Sequence, residues 1–421
     1  MRAAGPRLHE AAACKTSCER DNEGSRLLLI DTTVQRALAT ILLAAAAVLC
    51  LACLPASARA AAVDGDGMWI WYVNRSSGGT ASGIAAKAKR HGVDTVFIKS
   101  GDGGSYWGQF SRPLVTQLKA RGLKVCAWQF VYGNSPLSEA ERGAQARRAG
   151  ADCLVIDAES HYEGKYISAQ TYMRRLRARV GPDYELALTS FPYVHYHPAF
   201  PYSVFMGPGG AQANLPQMYW KTIGVSVDRI YDVTWTHNRP YGRPIYPLGQ
   251  TYSNPSSAEV LRFRKLATAY RATGLSWWVW QFSGKRQWAA LGSPFEPIAL
   301  SAPRPKWPLL KKGNRSDLVV WAQQHLMSLG LLDVANGSFG AGTERAVKSV
   351  QAAGGLPATG RIDAATWQRL LPAGAAPVTW STRRRGAVRA GGGAGGRVFR
   401  VPLNAREPAV RNELRGKTGP R

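Results

Sequence analysis

Acidic residues are scarce in this sequence. There are 27 against 54 basic residues, a formal net charge of +27 over 421 residues. That balance excludes an acidic, self-repelling chain and favours anionic partners. Cysteine is rarer still. Of six, Cys14, Cys18, Cys50 and Cys53 precede residue 60, and only Cys126 and Cys153 follow it. No set of cysteines and histidines has zinc-site spacing, and two cysteines cannot form a disulfide framework. Both lie in apolar, strand-like runs, which predicts buried thiols rather than a disulfide. The pair His195-Tyr-His197 has no third ligand nearby in sequence, so it reads as loop surface and no metal is expected. No Gly-rich phosphate fingerprint follows the first strand-like run, where the chain reads Tyr72-Val-Asn-Arg-Ser-Ser-Gly-Gly79. That speaks against a doubly wound nucleotide-binding sheet. No cofactor is implied.

Long apolar runs are absent but for one, Ala37 to Leu54. Arg36 precedes it and Ala58-Arg59-Ala60 follows, with small residues at the −3 and −1 positions of a signal-peptide cleavage site. Residues 1–60 therefore read as a secretory signal with an extended n-region, and a start near Val34 would give one of ordinary length. An uncleaved anchor is the alternative and the one route to a membrane, since 18 residues just span a bilayer. Export to the cell wall or the medium is the expected localisation.

Strand-like runs and helix-like stretches then alternate over residues 66–293. The runs are Met68–Val73, Thr95–Ser100, Lys124–Val131, Cys153–Glu159, Glu185–Ser190, Leu215–Trp220, Ile245–Thr251 and Ser276–Phe282. Helical periodicity falls between most of them, over Ala81–His91, Pro113–Arg121, Ser138–Ala149, Ala169–Val180 and Ala258–Ala272. Eight β/α units at this spacing predict an α/β fold, a (β/α)8 TIM-type barrel. A Pro-rich linker follows over 294–308, with Pro294, Pro297, Pro303, Pro305 and Pro308. The segment 309–372 has the pattern of three short helices. Ser316 is a candidate N-cap, Leu318, Val319, Ala322, Leu326 and Leu329 share one face, and Gly330 is the stop. A second helix starts at Thr343 with Ala346, Val347 and Val350 inward, and a third follows Asp363 with Trp367 and Leu370. The tail, 373–421, holds 11 basic and 2 acidic residues and the run Gly391-Gly-Gly-Ala-Gly-Gly396, and it reads as disordered.

Three small helices by themselves say nothing about a ligand. Their motif residues say more: Leu310, Gly313, Val319, Gln323, Leu326, Gly330, Gly337, Phe339, Gly340, Thr343, Ala346, Val347, Gln351, Leu356, Gly360, Asp363, Thr366, Trp367 and Leu370. In this order they resemble the peptidoglycan-binding domain 1 family. Val350 stands where that family usually has Phe. The resemblance implies that peptidoglycan is the partner. The basic surplus adds anionic wall polymers, and export with a wall module argues against nucleic acid.

Chemistry in the barrel rests on Cys153-Leu-Val-Ile-Asp-Ala-Glu-Ser160. Alternation places Cys153, Val155, Asp157 and Glu159 on one face, with both carboxylates at the C-terminal end of the fourth barrel strand, where barrel active sites lie. Two carboxylates so placed repel each other, and one tends to keep its proton. Lys99, Asp102, Gln129, Gln217, Tyr219, Trp280 and Gln281 fall at or just after strand ends and are the candidate substrate-binding residues. Trp128, Trp220 and Trp278 join Trp280 as candidate sugar platforms.

The Asp-x-Glu and the terminal Trp280-Gln-Phe-Ser283 make the barrel similar to glycoside hydrolase family 25 lysozymes. That resemblance implies hydrolysis of the peptidoglycan glycan, with Glu159 as general acid and Asp157 as the neighbour that tunes or stabilises. The first strand, Met68-Trp-Ile-Trp-Tyr-Val73, lacks the family's Asp, and so does the stretch Gly284-Lys-Arg-Gln-Trp-Ala-Ala290. Two readings therefore stand: a wall-directed glycan hydrolase, and a wall-binding protein with a silent hydrolase-like barrel.

The signal reading predicts a mature protein that begins at Ala61. N-terminal sequencing of exported protein checks it, and an intact apolar segment in the membrane fraction would mean an anchor.

Overall fold

The computed structural model describes residues 61–299 and 306–381, with the backbone of 395–396. The expected signal, the middle of the linker and most of the basic tail lie outside the described residues; the start of the tail, 373–381, is instead packed, with Val378 and Trp380 buried against Tyr166. Among those described, no helix is long and apolar enough to cross a membrane.

Eight parallel strands form one sheet: β1 (Gly65–Ile70), β2 (Thr95–Asp102), β4 (Lys124–Val131), β5 (Cys153–Ala158), β6 (Glu185–Ser190), β7 (Ala213–Pro216), β8 (Leu248–Gln250) and β9 (Gly274–Trp278). A short β3 (Ser105–Tyr106) pairs antiparallel with the end of β2. Strand order runs β7-β6-β5-β4-β2-β1-β9-β8. The remaining seam between β7 and β8 is closed by parallel bridges Asn214–Ile245 and Gln217–Leu248. The N–H of Tyr246 donates to Asn214 O at 2.8 Å, and that of Met218 to Leu248 O at 2.8 Å. The seam is thin because Pro216, Pro244 and Pro247 have no N–H to give a ladder. The expected (β/α)8 barrel is the observed fold.

Alternation sets the layers. Trp69, Phe97, Cys126, Trp128, Cys153, Val155, Leu215 and Leu248 fill the interior. Met68, Ile70, Val96, Ile98, Val125, Ala127, Leu154, Ile156, Leu186 and Leu188 face the outer helices. Those helices start at side-chain caps: Thr80 for Ala81–Arg90, Ser111 for Arg112–Ala120, and Ser256 with Glu259 in a capping box for Ser257–Ala269. The helix Val227–Asn238 has no counterpart in the stretches picked out by periodicity.

The cysteines correct the sequence reading. Cys126 and Cys153 are directly paired across β4 and β5, both inward, with Cα atoms 4.6 Å apart, and they form a disulfide. An apolar run predicts burial but not register, and register brings the two sulfurs together.

In the C-terminal module, helices Asp317–Ser328, Ala341–Ala353 and Ala364–Leu370 pack around Leu318, Val319, Ala322, Leu326, Ala346, Val347, Val350, Trp367 and Leu370. Ser316 caps the first helix and Asp363 the third. Leu329, expected inward, is exposed, because the helix has ended and Gly330 turns the chain at φ +70°. The motif glutamines are internal staples. Gln323 donates to Ser338 O and Thr343 Oγ1 and accepts from the N–H groups of Asn336 and Gly337. Gln351 donates to Arg361 O and Thr366 Oγ1 and accepts from Gly360 N–H.

The module is seated on the barrel. Asp317 is fully buried at the junction. Its Oδ1 accepts from Tyr166 OH (2.9 Å) and Ser203 Oγ (2.6 Å), and its Oδ2 from Tyr241 OH (2.8 Å) and Ser203 N–H (2.8 Å). Trp321 donates its indole N–H to Pro240 O at 2.6 Å, and Trp380 packs on Tyr166 with ring centroids 4.3 Å apart. A Pro-rich linker by itself leaves open whether the two bodies touch. Its prolines do not decide this, because the contact is made by side chains on either side of it.

Asp317→Ala should destabilise the chain by ~3 kcal/mol, since it leaves three hydroxyls and an N–H without their acceptor in a dry interface. Denaturant unfolding checks this, and an unchanged midpoint would show that the junction carries no stability.

Candidate active site

The C-terminal end of β5 brings the two carboxylates to the barrel mouth. Asp157 is the last inward residue of β5 and is 5% exposed, while Glu159 is the first residue past Ala158 and is half-buried. Gln217, just after β7, reaches both. Its Nε2 donates to Asp157 Oδ1 at 3.2 Å and to Glu159 Oε1 at 3.0 Å. The two oxygens cannot be farther apart than the sum of those distances, which is less than the ~6.5–9.5 Å that admits a water between an inverting pair.

Burial pushes the Asp157 carboxyl well above the usual range. Glu159 pushes it further and so does Asp102, while Lys99 pulls it back. Glu159 is also raised by burial, opposed by the Gln217 hydrogen bond and by His197. Two such groups a few ångströms apart titrate as a pair, in which ionisation of one disfavours that of the other.

Lys99 continues the inward face of β2 after Phe97 and is buried. Its ammonium pairs with Asp102 Oδ2 at 2.6 Å, and Tyr132 OH donates to Asp102 Oδ1 at 2.8 Å. Indole rings surround it: Trp107 at 4.3 Å, Trp128 at 4.9 Å and Trp71 at 5.3 Å. Trp128 and Trp278 form a cluster with Trp69 and Trp71, with centroids 5.3–6.5 Å apart. Beside it, a depression of ≈ 630 Å³ is walled by Tyr72 and Trp107. Tyr219 lies next to the carboxylates, which with burial and Tyr252 raise its hydroxyl pKa.

Three candidates are elsewhere. Gln129 points outward from β4, because Trp128 takes the inward position; its amide donates to Gly103 O and Glu139 O, each at 2.9 Å. Trp280 is buried on the outer side against Trp288, and Trp220 stacks there on Phe263. Gln281 is at the mouth but acts as a tie, donating to Tyr72 O and Ser76 Oγ, each at 2.7 Å. His197 pairs with Glu163 through Nδ1 at 2.7 Å, and no group of three His, Cys, Asp or Glu among the described residues is placed to hold a metal.

Trp71, Tyr72, Trp107 and Tyr132 were missed. Trp71 was legible, since Met68-Trp-Ile-Trp71 alternates like any half-inward strand. Trp107 was not, because the β3 turn that delivers it has no periodic signal.

Residues 315–370 match the family model described as a putative peptidoglycan binding domain. No curated protein matches the chain. Among solved structures, the catalytic domain of a Pyrococcus furiosus chitinase is 12% identical with a TM-score of 0.44, over 54% of this chain and 93% of that one. A class V chitinase from Pseudomonas fluorescens Pf-5 is 10% identical with a TM-score of 0.42, over 53% and 98%. An endo-β-1,4-mannanase from Thermotoga petrophila is 11% identical with a TM-score of 0.39, over 52% and 68%.

A carboxyl whose folded pKa is raised favours the fold fully below the unfolded value and loses that contribution as pH rises through the folded one. Asp157→Asn should therefore match or exceed the wild-type melting temperature at pH 8, by a wider margin than at pH 4. A variant that falls below wild type equally at both pH values would contradict this electrostatic picture.

Proposed function

We propose that this chain is an exported glycoside hydrolase that acts on the glycan strand of peptidoglycan while its C-terminal module holds the wall. The observation that carries the reading is the Asp157–Gln217–Glu159 constellation at the barrel mouth, in one compact unit with a peptidoglycan-binding module. The half-buried Glu159 is the member that reaches a bound glycan. It donates its proton to the leaving glycosidic oxygen as the C–O bond breaks. Asp157, as the carboxylate, faces the positive charge that develops on the sugar ring; a water then bonds to the anomeric carbon and gives its proton to Glu159, which restores the acid. The bound on the spacing of the pair falls below the range of inverting pairs, which favours retention of configuration over inversion. Half-buried indoles and phenols near the mouth suit the apolar faces of sugars. The Cys126–Cys153 disulfide suits an oxidising compartment, and the surplus of cationic side chains suits anionic wall polymers.

A silent wall-binding barrel is the second reading. One observation favours it: Trp69 in β1 and Trp71 just past it take the inward places toward the mouth, and the carboxylate of β1, Asp66, lies at the strand's other end, paired with Arg264.

Glu159→Gln keeps shape and hydrogen bonds but has no proton to give. It should cut release of glycan fragments from purified walls by ~10²–10⁴-fold and leave co-sedimentation with peptidoglycan unchanged. Wild-type levels of release from the variant would overturn Glu159 as the acid. No release by the wild type from several wall types would establish the silent barrel.

A further inference from the structure

Where the module meets the barrel, a cavity of ≈ 330 Å³ opens, apart from the carboxylate site. The barrel contributes His195, His237 and Pro198, and the module contributes Leu309, Leu310 and Arg315. Its polar groups divide into two sets. The acid is already satisfied: Asp317 has four donors, and the lining His197 is taken by Glu163 behind it. The donor set, one guanidinium and two neutral imidazoles, is open. Arg315 is exposed, and among the described residues its guanidinium has no ion pair or hydrogen bond. His195 and His237 stack with centroids 3.9 Å apart, and neither ring has a hydrogen-bond partner among the described residues. Leu309, 50% exposed, supplies an apolar wall with Pro198 and Leu310. Such a cavity has donors for one anionic group and an apolar surface for small side chains. Aromatic walls of the kind a sugar stacks on are at the barrel mouth instead.

We propose that this junction cavity binds the free carboxylate end of a short peptide of small residues, the chemistry of the peptide stems of peptidoglycan. The assignment to peptidoglycan rests on the module's reading; the cavity's chemistry does not depend on catalysis at Glu159. A wall-bound chain then holds peptide at the junction and glycan at the mouth. Burial and Arg229 lower both imidazoles to about 4, with a further push from His197 on His195 and from His195 on His237. A bound carboxylate raises them again, so affinity should increase as pH falls from 7 to 5. The other charges facing the pair are Asp232, which pairs with Arg229 at 3.4 Å, Glu163 on His197, and Arg315.

The test uses the mature full chain with three probes: trialanine, trialanine C-terminal amide and glycerol phosphate. Calorimetry reads affinity, and NMR reads the ring signals of His195 and His237. Trialanine should bind and shift both rings. The amide should bind about tenfold more weakly, as should trialanine to Arg315→Ala, the loss expected for one charge-assisted hydrogen bond. Arg315 is exposed and outside both cores, so this variant is expected to fold. Equal binding of acid and amide would overturn the proposal, as would indifference to Arg315→Ala. Glycerol phosphate binding where trialanine does not would also overturn it, in favour of a phosphate-bearing wall polymer. A chain that binds trialanine as expected but releases no glycan supports the cavity and overturns only the catalytic reading.

Discussion

A closed barrel gives every strand one inward and one outward face, and most of what distinguishes this protein follows from that constraint. On β5 it turns Cys153, Val155 and Asp157 inward together, and Glu159 continues the row past the strand end. On β2 it carries Phe97 and then Lys99 toward the same mouth. On β4 it gives the inward place to Trp128 and so sends Gln129 out among the helices, where it satisfies two backbone carbonyls. The disulfide has the same origin, since Cys126 and Cys153 are directly paired on neighbouring strands, with Cα atoms 4.6 Å apart and both side chains on the inner face.

The mouth concentrates charge on buried and half-buried side chains. Asp157, Glu159, Lys99 and Asp102 are held by a small number of partners: one amide, one phenol and three indoles. Burial penalises the charges of Asp157 and Glu159, and their partners offset that only in part, so these two carboxyls rise. A fold designed for stability alone would place apolar side chains there.

The module's seat on the barrel has a different physics. A carboxylate with four donors and an indole with one acceptor fix orientation as well as contact. A flexible tether would raise the local concentration of wall near the barrel and leave direction free. A seated module fixes direction too, so a strand held by the module meets the mouth in a limited set of poses.

The sequence by itself determined the eight β/α units, the three-helix module with its caps and glycine stop, and the pair Asp157 and Glu159. Each is written in local periodicity, a cap or a motif, and local backbone preference is enough to read it. Tertiary structure decided what depends on residues far apart in the chain. Gln217 bridges carboxylates some sixty positions away, Trp107 reaches Lys99 from a non-periodic turn, and Trp280 turns outward despite its place in a familiar motif. The cysteines were visible as buried but not as bonded, because inter-strand register is absent from a one-dimensional pattern. Asp317 read as the first residue of a capped helix, where an acid is expected in any case. Its role as the keystone of the junction needed Tyr166, Ser203 and Tyr241 to be brought to it by other parts of the fold, and no local signal records that.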